Sequence, residues 1–201
     1  MSNTNITFCR APREDIPGMV RIEEEFFSDY EKAFDQKFFD QWFEHNADMF
    51  FVIKNVEEDV LGFVVLTPIT EALHNRLIKG EVFDFFDFSK SEVIKTMDSD
   101  NYYISDICIS RSRAGNYMIA FINIAGGMIG ILAEKAKYVT ACPVTTAGAR
   151  LCRTVGMKKV AESESNGARY SVCLLKVTPE IIGRFQRIAE RTNRTGDDNN
   201  D

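Results

Sequence analysis

The sequence predicts a single α/β domain, a mixed sheet with helices on both faces, and three observations lead there. Strand-like apolar runs alternate with segments of helical spacing in the order β-α-α-β-β-(insertion)-β-α-β-α-β-β. Residues 103–110 form a β-rich run that breaks into a basic turn, Arg111-Ser112-Arg113-Ala114-Gly115-Asn116, and a long apolar segment starts at once. A parallel crossover of that kind must carry its helix on a face of the sheet. Finally, 45% hydrophobic residues, with 16 phenylalanines among 201 positions, are enough for one core.

Each element has its own signature. Residues 6–10 read as a short strand with Ile6 and Phe8 on one face. A turn at 11–15 carries helix-start residues, and Ile16, Met19, Val20, Glu23 and Phe27 follow at helical spacing. A second helix spans 35–45; its stripe of Phe38, Phe39, Trp42 and Phe43 belongs to a core, with part of it available to line a substrate mouth. Residues 49–54 and 60–67 are strands of an antiparallel hairpin, joined by an acidic turn and ended by Pro68. The less regular segment 69–100 holds a helix at 71–79 and an aromatic run at 83–88, and reads as an insertion covering one edge of the sheet.

Beyond the 103–110 strand, residues 119–136 have the length and apolarity of a largely buried helix. Gly126, Gly127 and Gly130 inside it cost helix stability, which implies close packing on a strand. A strand follows at 138–142. Thr145 or Thr146 then caps a helix that runs through Val155 and stops at Gly156. Strands at 159–163 and 168–177 pair around the turn dipeptide Asn166-Gly167. An amphipathic helix occupies 179–191. The expected organisation is a domain at 1–177 that includes the insertion at 69–100, a C-terminal helix within 178–192, and a disordered polar tail at 193–201.

Composition narrows the function. A net charge of -6 argues against a nucleic-acid binder, which needs a clustered basic surface. No run approaches the roughly 20 apolar residues that cross a membrane, and the first residues lack a signal-peptide pattern, so a cytoplasmic protein is expected. The five cysteines are widely spaced, form no CxxC pair and have two histidines for company. No metal site and no disulfide framework is expected from that spacing. The turn at 111–116 joins a strand to a helix N-terminus, an arrangement whose backbone N–H groups and dipole suit phosphate oxygens, and Arg111 and Arg113 add charged donors.

The order of elements, together with three local pieces, resembles the GNAT superfamily of N-acyltransferases, which transfer an acyl group from coenzyme A to an amine. The pieces are Ile6-Thr7-Phe8-Cys9-Arg10-Ala11-Pro12-Arg13-Glu14-Asp15-Ile16, Val60-Leu61-Gly62-Phe63-Val64-Val65-Leu66, and the stretch from Ala147 to Val160, whose Val155-Gly156-Met157-Lys158-Lys159-Val160 is similar to the family's "L-G-F-K-x-V" ending. The resemblance covers residues 6–177. It implies that the strands at 103–110 and 138–142 are parallel and splay apart. It also implies a pyrophosphate loop, R/Q-x-x-G-x-G/A, laid on Arg113, Ala114, Gly115, Asn116, Tyr117 and Met118, with Asn116 and Met118 standing where glycine or alanine is usual. Ile107, Cys108 and Ile109 would hold the pantetheine arm, and Thr145 completes the coenzyme-binding set.

Where many members of the family carry a Tyr that protonates the departing thiolate, this chain has Cys152. Acyl transfer also needs a group to take the amine proton. Asp106, a charge on an otherwise apolar strand beside Ile104 and Cys108, is the candidate. Glu23, Glu24, Tyr30 and Glu81 could face an acceptor, but they read better as solvated surface residues. Cys108 and Cys142 are formal nucleophiles that lack a nearby His. The resemblance thus implies acetyl transfer from acetyl-CoA to a primary amine of a small molecule or a protein, without a metal, and leaves room for a homodimer. The alternatives are a catalytically silent domain of this fold that binds a ligand or partner, and an acyl-homoserine-lactone synthase, to which Ile109-Ser110-Arg111 bears a faint similarity.

Overall fold

Seven strands form one mixed sheet in the computed structural model, which describes residues 6–27, 34–110, 112, 117–165, 168–184 and 186–187. In chain order the elements are β1 (Thr7–Arg10), α1 (Ile16–Phe27), α2 (Gln36–His45), β2 (Phe50–Lys54), β3 (Val60–Ile69), α3 (Glu71–Ile78), β4 (Asn101–Ile109), α4 (Tyr117–Lys135), β5 (Tyr138–Ala141), α5 (Thr146–Thr154), β6 (Lys158–Ser165) and β7 (Ala168–Lys176). The strands are hydrogen-bonded in the order β1-β2-β3-β4-β5-β7-β6. β4 and β5 run parallel, as a pair joined by α4 should, while β1–β2, β2–β3, β5–β7 and β6–β7 are antiparallel. The parallel ladder runs only from Asn101↔Tyr138 to Ile104↔Ala141, although β4 continues to Ile109. Among the described residues, no helix is long and apolar enough to cross a membrane.

The chain packs as two compact units. The first is built from Met1–Val65, Asp106–Ala133 and Pro179–Asp201. In it, Asp35 caps α2 by accepting the Phe38 N–H at 2.7 Å, which turns the aromatic stripe of that helix inward. Phe39 is fully buried, edge-on to Phe63 with centroids 5.7 Å apart. Ile16, Met19 and Ile22 form the buried stripe of α1. Phe8 of β1 stacks on Phe51, and its ring fills the space over Gly127, where a Cβ would lie 2.1 Å from a ring carbon. The packing expected of the α4 glycines therefore holds at Gly127; among the described residues, a Cβ at Gly130 would meet nothing within 4 Å. Lys54 Nζ and Asp15 Oδ1 form a nearly buried ion pair at 2.9 Å.

The second unit comprises Leu66–Ser105 and Glu134–Thr178. Here β3 does not end at Pro68 as the sequence suggests. It runs on to Ile69, because the Pro68 carbonyl accepts the Ile94 N–H at 2.9 Å and Ile69 bridges to Val93. Proline lacks only the donor, so its carbonyl can still pair. The helix expected at 71–79 is α3, capped by Thr70, and it packs on β5 and β7, interior strands of the order, not along an edge. The aromatic run after it is core: Tyr103 Oη donates to the Phe83 carbonyl at 2.6 Å, and Phe88 meets the Tyr103 ring at 5.0 Å. α5 begins at the Thr145 cap and ends in a Schellman turn, with Gly156 at φ 88° and the Met157 N–H on the Cys152 carbonyl. Backbone at 179–184 and 186–187 is helical. Asn166-Gly167 and the tail at 193–201 lie outside the described residues.

Candidate functional site

Along β4, successive side chains alternate between faces, so Asp106 and Cys108 point the same way. α1 of the same unit lies over that face. Its buried stripe continues from Ile16, Met19 and Ile22 to Glu23, only 4% exposed. A carboxylate on the inner face of a helix must find partners. The Cys108 thiol donates to Asp106 Oδ1 at 3.4 Å and to Glu23 Oε2 at 3.7 Å, and the Phe34 N–H donates to Glu23 Oε1 at 3.2 Å. One ligand atom from each of Glu23, Asp106 and Cys108 lies within 4.8 Å of the others. Among the described residues, Asp106 Oδ2 is buried with no N–H, O–H or S–H donor.

Electrostatics follow from that crowding. Burial, then the neighbouring charge and hydrogen bond of Asp106, pushes the Glu23 carboxyl up to about 10, against weaker opposition from the Phe34 amide and Cys108. Burial also raises Asp106, opposed by hydrogen bonds with Glu23 and Cys108. Cys108 is raised well above an ordinary thiol by burial and by both carboxylates. The pair therefore shares a proton at neutral pH, and Cys108 stays a thiol, which removes it as a nucleophile.

β3 approaches β4 tightly beside this group. A Cβ on Gly62 would lie 2.8 Å from the Cys108 carbonyl oxygen, and the Ser110 N–H donates to the Leu61 carbonyl at 2.8 Å. In an extended strand, the N–H and C=O of one residue point to the same side and alternate from residue to residue. With Cys108 and Ser110 facing β3, the peptide groups of Ile107 and Ile109 point the opposite way. Just beyond, Ser110 Oγ donates to the Glu25 carboxylate at 2.9 and 3.1 Å and lies 3.1 Å from Ser112 Oγ.

The other expected site residues divide. Glu23, read from sequence as solvated, is buried beside Asp106, whereas Glu24 and Glu81 are exposed as expected. Arg111, Arg113, Ala114, Gly115, Asn116 and Tyr30 lie outside the described residues, as do the side chains of Tyr117 and Met118. Thr145 Oγ1 accepts the Gly148 N–H at 2.9 Å. In the second unit, Cys152 is buried on α5, where burial, then the neighbouring Cys173, pushes its thiol up to about 12. Cys142 is likewise pushed to about 12, chiefly by burial.

No protein-family sequence model matches the chain, and no curated protein matches it by sequence. Solved structures do match it by shape. Ard1 from Thermoplasma volcanium superposes with a TM-score of 0.59 at 12% identity, over 86% of this chain and 98% of that one. The NatC complex bound to Gag peptide and CoA gives a TM-score of 0.59 at 9% identity, over 86% and 99%. GphF, a GNAT-like decarboxylase in complex with isobutyryl-CoA, gives 0.66 at 6% identity, over 85% and 98%. Identities this low speak to architecture, and a decarboxylase among the neighbours means that the architecture alone does not fix the reaction. With its parallel β4–β5 pair inside a seven-stranded mixed sheet, the chain has the GNAT fold.

Proposed function

We propose that the protein is an acyl-coenzyme A-dependent N-acyltransferase, most simply one that moves an acetyl group from acetyl-CoA to a primary amine of a small molecule or a protein. The observation that carries this reading is the buried Glu23–Asp106 pair on a fold that, in NatC and GphF, accompanies CoA and isobutyryl-CoA. Bound acyl-CoA supplies a thioester: the new C–N bond forms as the C–S bond breaks, directly and with no covalent enzyme intermediate. Asp106, sharing one proton and one charge with Glu23, takes the proton that the amine must lose. Cys152, on α5, keeps its proton through neutral pH, and its part in protonating the thiolate is the smaller one because coenzyme A can leave as a thiolate.

Binding in this reading rests on backbone. The peptide groups of Ile107 and Ile109, turned away from β3, hold the pantetheine arm as an added strand would, while Cys108 between them turns its carbonyl to β3. In the same reading Arg113, Ala114, Gly115, Asn116, Tyr117 and Met118 form the pyrophosphate loop, and Thr145 belongs to the coenzyme-binding set. A thermal-shift titration tests this directly, since a ligand that binds the folded state stabilises it by mass action. Coenzyme A and acetyl-CoA should both raise the melting temperature, Arg113→Ala should weaken the effect more than Arg111→Ala, and Asp106→Asn should lower turnover while leaving coenzyme affinity intact.

A second reading, a catalytically silent domain, is favoured by Asn116 and Met118 in the loop and by Cys152 at the usual Tyr position. It gains if neither coenzyme shifts the melting temperature.

A further inference from the structure

Glu23, Asp106 and Cys108 offer two carboxylate oxygens and a sulfur that converge from α1 and β4, with Glu23 and Cys108 85 residues apart in sequence. Zinc binds sulfur at about 2.3 Å and carboxylate oxygen at about 2.0 Å, so a tetrahedral angle between them spaces S and O by about 3.5 Å. The observed spacings are 3.4 Å from Cys108 Sγ to Asp106 Oδ1 and 3.7 Å to Glu23 Oε2. A second observation is independent of that spacing: among the described residues Asp106 Oδ2 is buried with no hydrogen-bond partner beyond the proton that the acid pair shares. A cation among these three residues would supply the missing partner and relieve the mutual repulsion of the carboxylates.

We propose that Glu23, Asp106 and Cys108 form a binding site for a zinc-class divalent cation. The mixed oxygen and sulfur set selects that class. Magnesium and calcium take oxygen ligands, whereas a thiolate favours zinc and its spectroscopic stand-in cobalt. Three protein ligands leave the fourth position to a water or a small anion. Binding displaces the thiol proton of Cys108 and the proton shared by the carboxylates, which pass to solvent. The inference does not rest on acyl transfer. If that activity is present, zinc inhibits it by occupying Asp106.

The test is a cobalt titration of the metal-stripped full-length protein, with a thiol-free reductant, followed by competition with zinc. The expected result is a thiolate-to-cobalt charge-transfer band that saturates at one equivalent, is displaced by zinc, and is unaffected by excess magnesium or calcium. Cys108→Ser should abolish the band, and Glu23→Gln should weaken zinc binding by at least about tenfold. If Cys108→Ser does not fold, Cys108→Ala serves in its place, and the Glu23→Gln arm decides alone if neither does. The proposal is overturned if wild type gives no band, if the band survives without Cys108, if zinc affinity is unchanged in Glu23→Gln, or if magnesium competes equally. All of these readouts are independent of turnover.

Discussion

Replacing Glu23 with Gln should make the metal-free protein more stable, and increasingly so as pH rises. In the folded chain Glu23 holds its proton up to about 10, against an ordinary value of 4.5. A group raised in this way contributes stability that is fully present below 4.5 and is lost as pH climbs towards about 10. Over that window the folded state binds one more proton than the unfolded state, so stability falls by about 1.4 kcal/mol for each pH unit. From 4.5 to pH 7 this amounts to about 3 kcal/mol, a large share of the roughly 5–15 kcal/mol that holds a domain together. Glutamine mimics the protonated acid: its oxygen can still accept the Phe34 N–H that Glu23 accepts at 3.2 Å, and it carries no charge to bury. Urea unfolding of both proteins at several values between about pH 5 and 8 measures the effect as a difference in midpoint at constant slope. The difference should open by about 4 kcal/mol across that range. Curves that stay parallel would refute the reasoning, because they would mean that Glu23 ionises normally in the folded protein.

Gly62→Ala puts a Cβ 2.8 Å from the Cys108 carbonyl oxygen, and denaturant unfolding should show a loss of about 1–3 kcal/mol, since backbone cannot step aside as a flexible side chain can. Lys54→Met strands the Asp15 carboxylate, whose Oδ2 already lacks a hydrogen bond among the described residues, and should cost about 3–5 kcal/mol, most of it recovered when Asp15→Leu is added. In a steady-state assay with acetyl-CoA, Cys152→Ala should lower turnover less than Asp106→Asn does; the reverse order would make the thiol the principal proton carrier.

The elements of this fold announce themselves in sequence where local chemistry decides them. Asp35 and Thr145 are caps by residue type, Gly156 is a helix stop because it can take a positive φ, and the apolar stretch of α4 could hardly be anything else. Asp106 was legible too, since alternation with Ile104 and Cys108 leaves its charge nowhere to hide. Glu23 was not. It sits at helical spacing with Ile16 and Met19, but carboxylates on helices are usually solvated, and the strand that meets it comes much later in the chain. For the same reason, cysteine spacing gave no sign of a ligand set that depends on a helix and a strand far apart in sequence. Nor could spacing tell Gly127, which faces the Phe8 ring, from Gly130, which meets no described residue. Pro68 misled because a missing donor was read as a strand end, when the carbonyl alone was enough to continue the pairing.

The hydrogen bond from the Phe34 amide to Glu23 reaches further than its single contact suggests. Phe34 stacks on Phe38 with centroids 4.1 Å apart, and Phe38 lies 6.3 Å from Trp42, the chain's one tryptophan. The acid pair is thus wired to a fluorophore on α2. A change of charge or occupancy at Glu23 should shift the anchor of that aromatic stack, which would make Trp42 emission a built-in, label-free gauge of the site, readable in a cuvette.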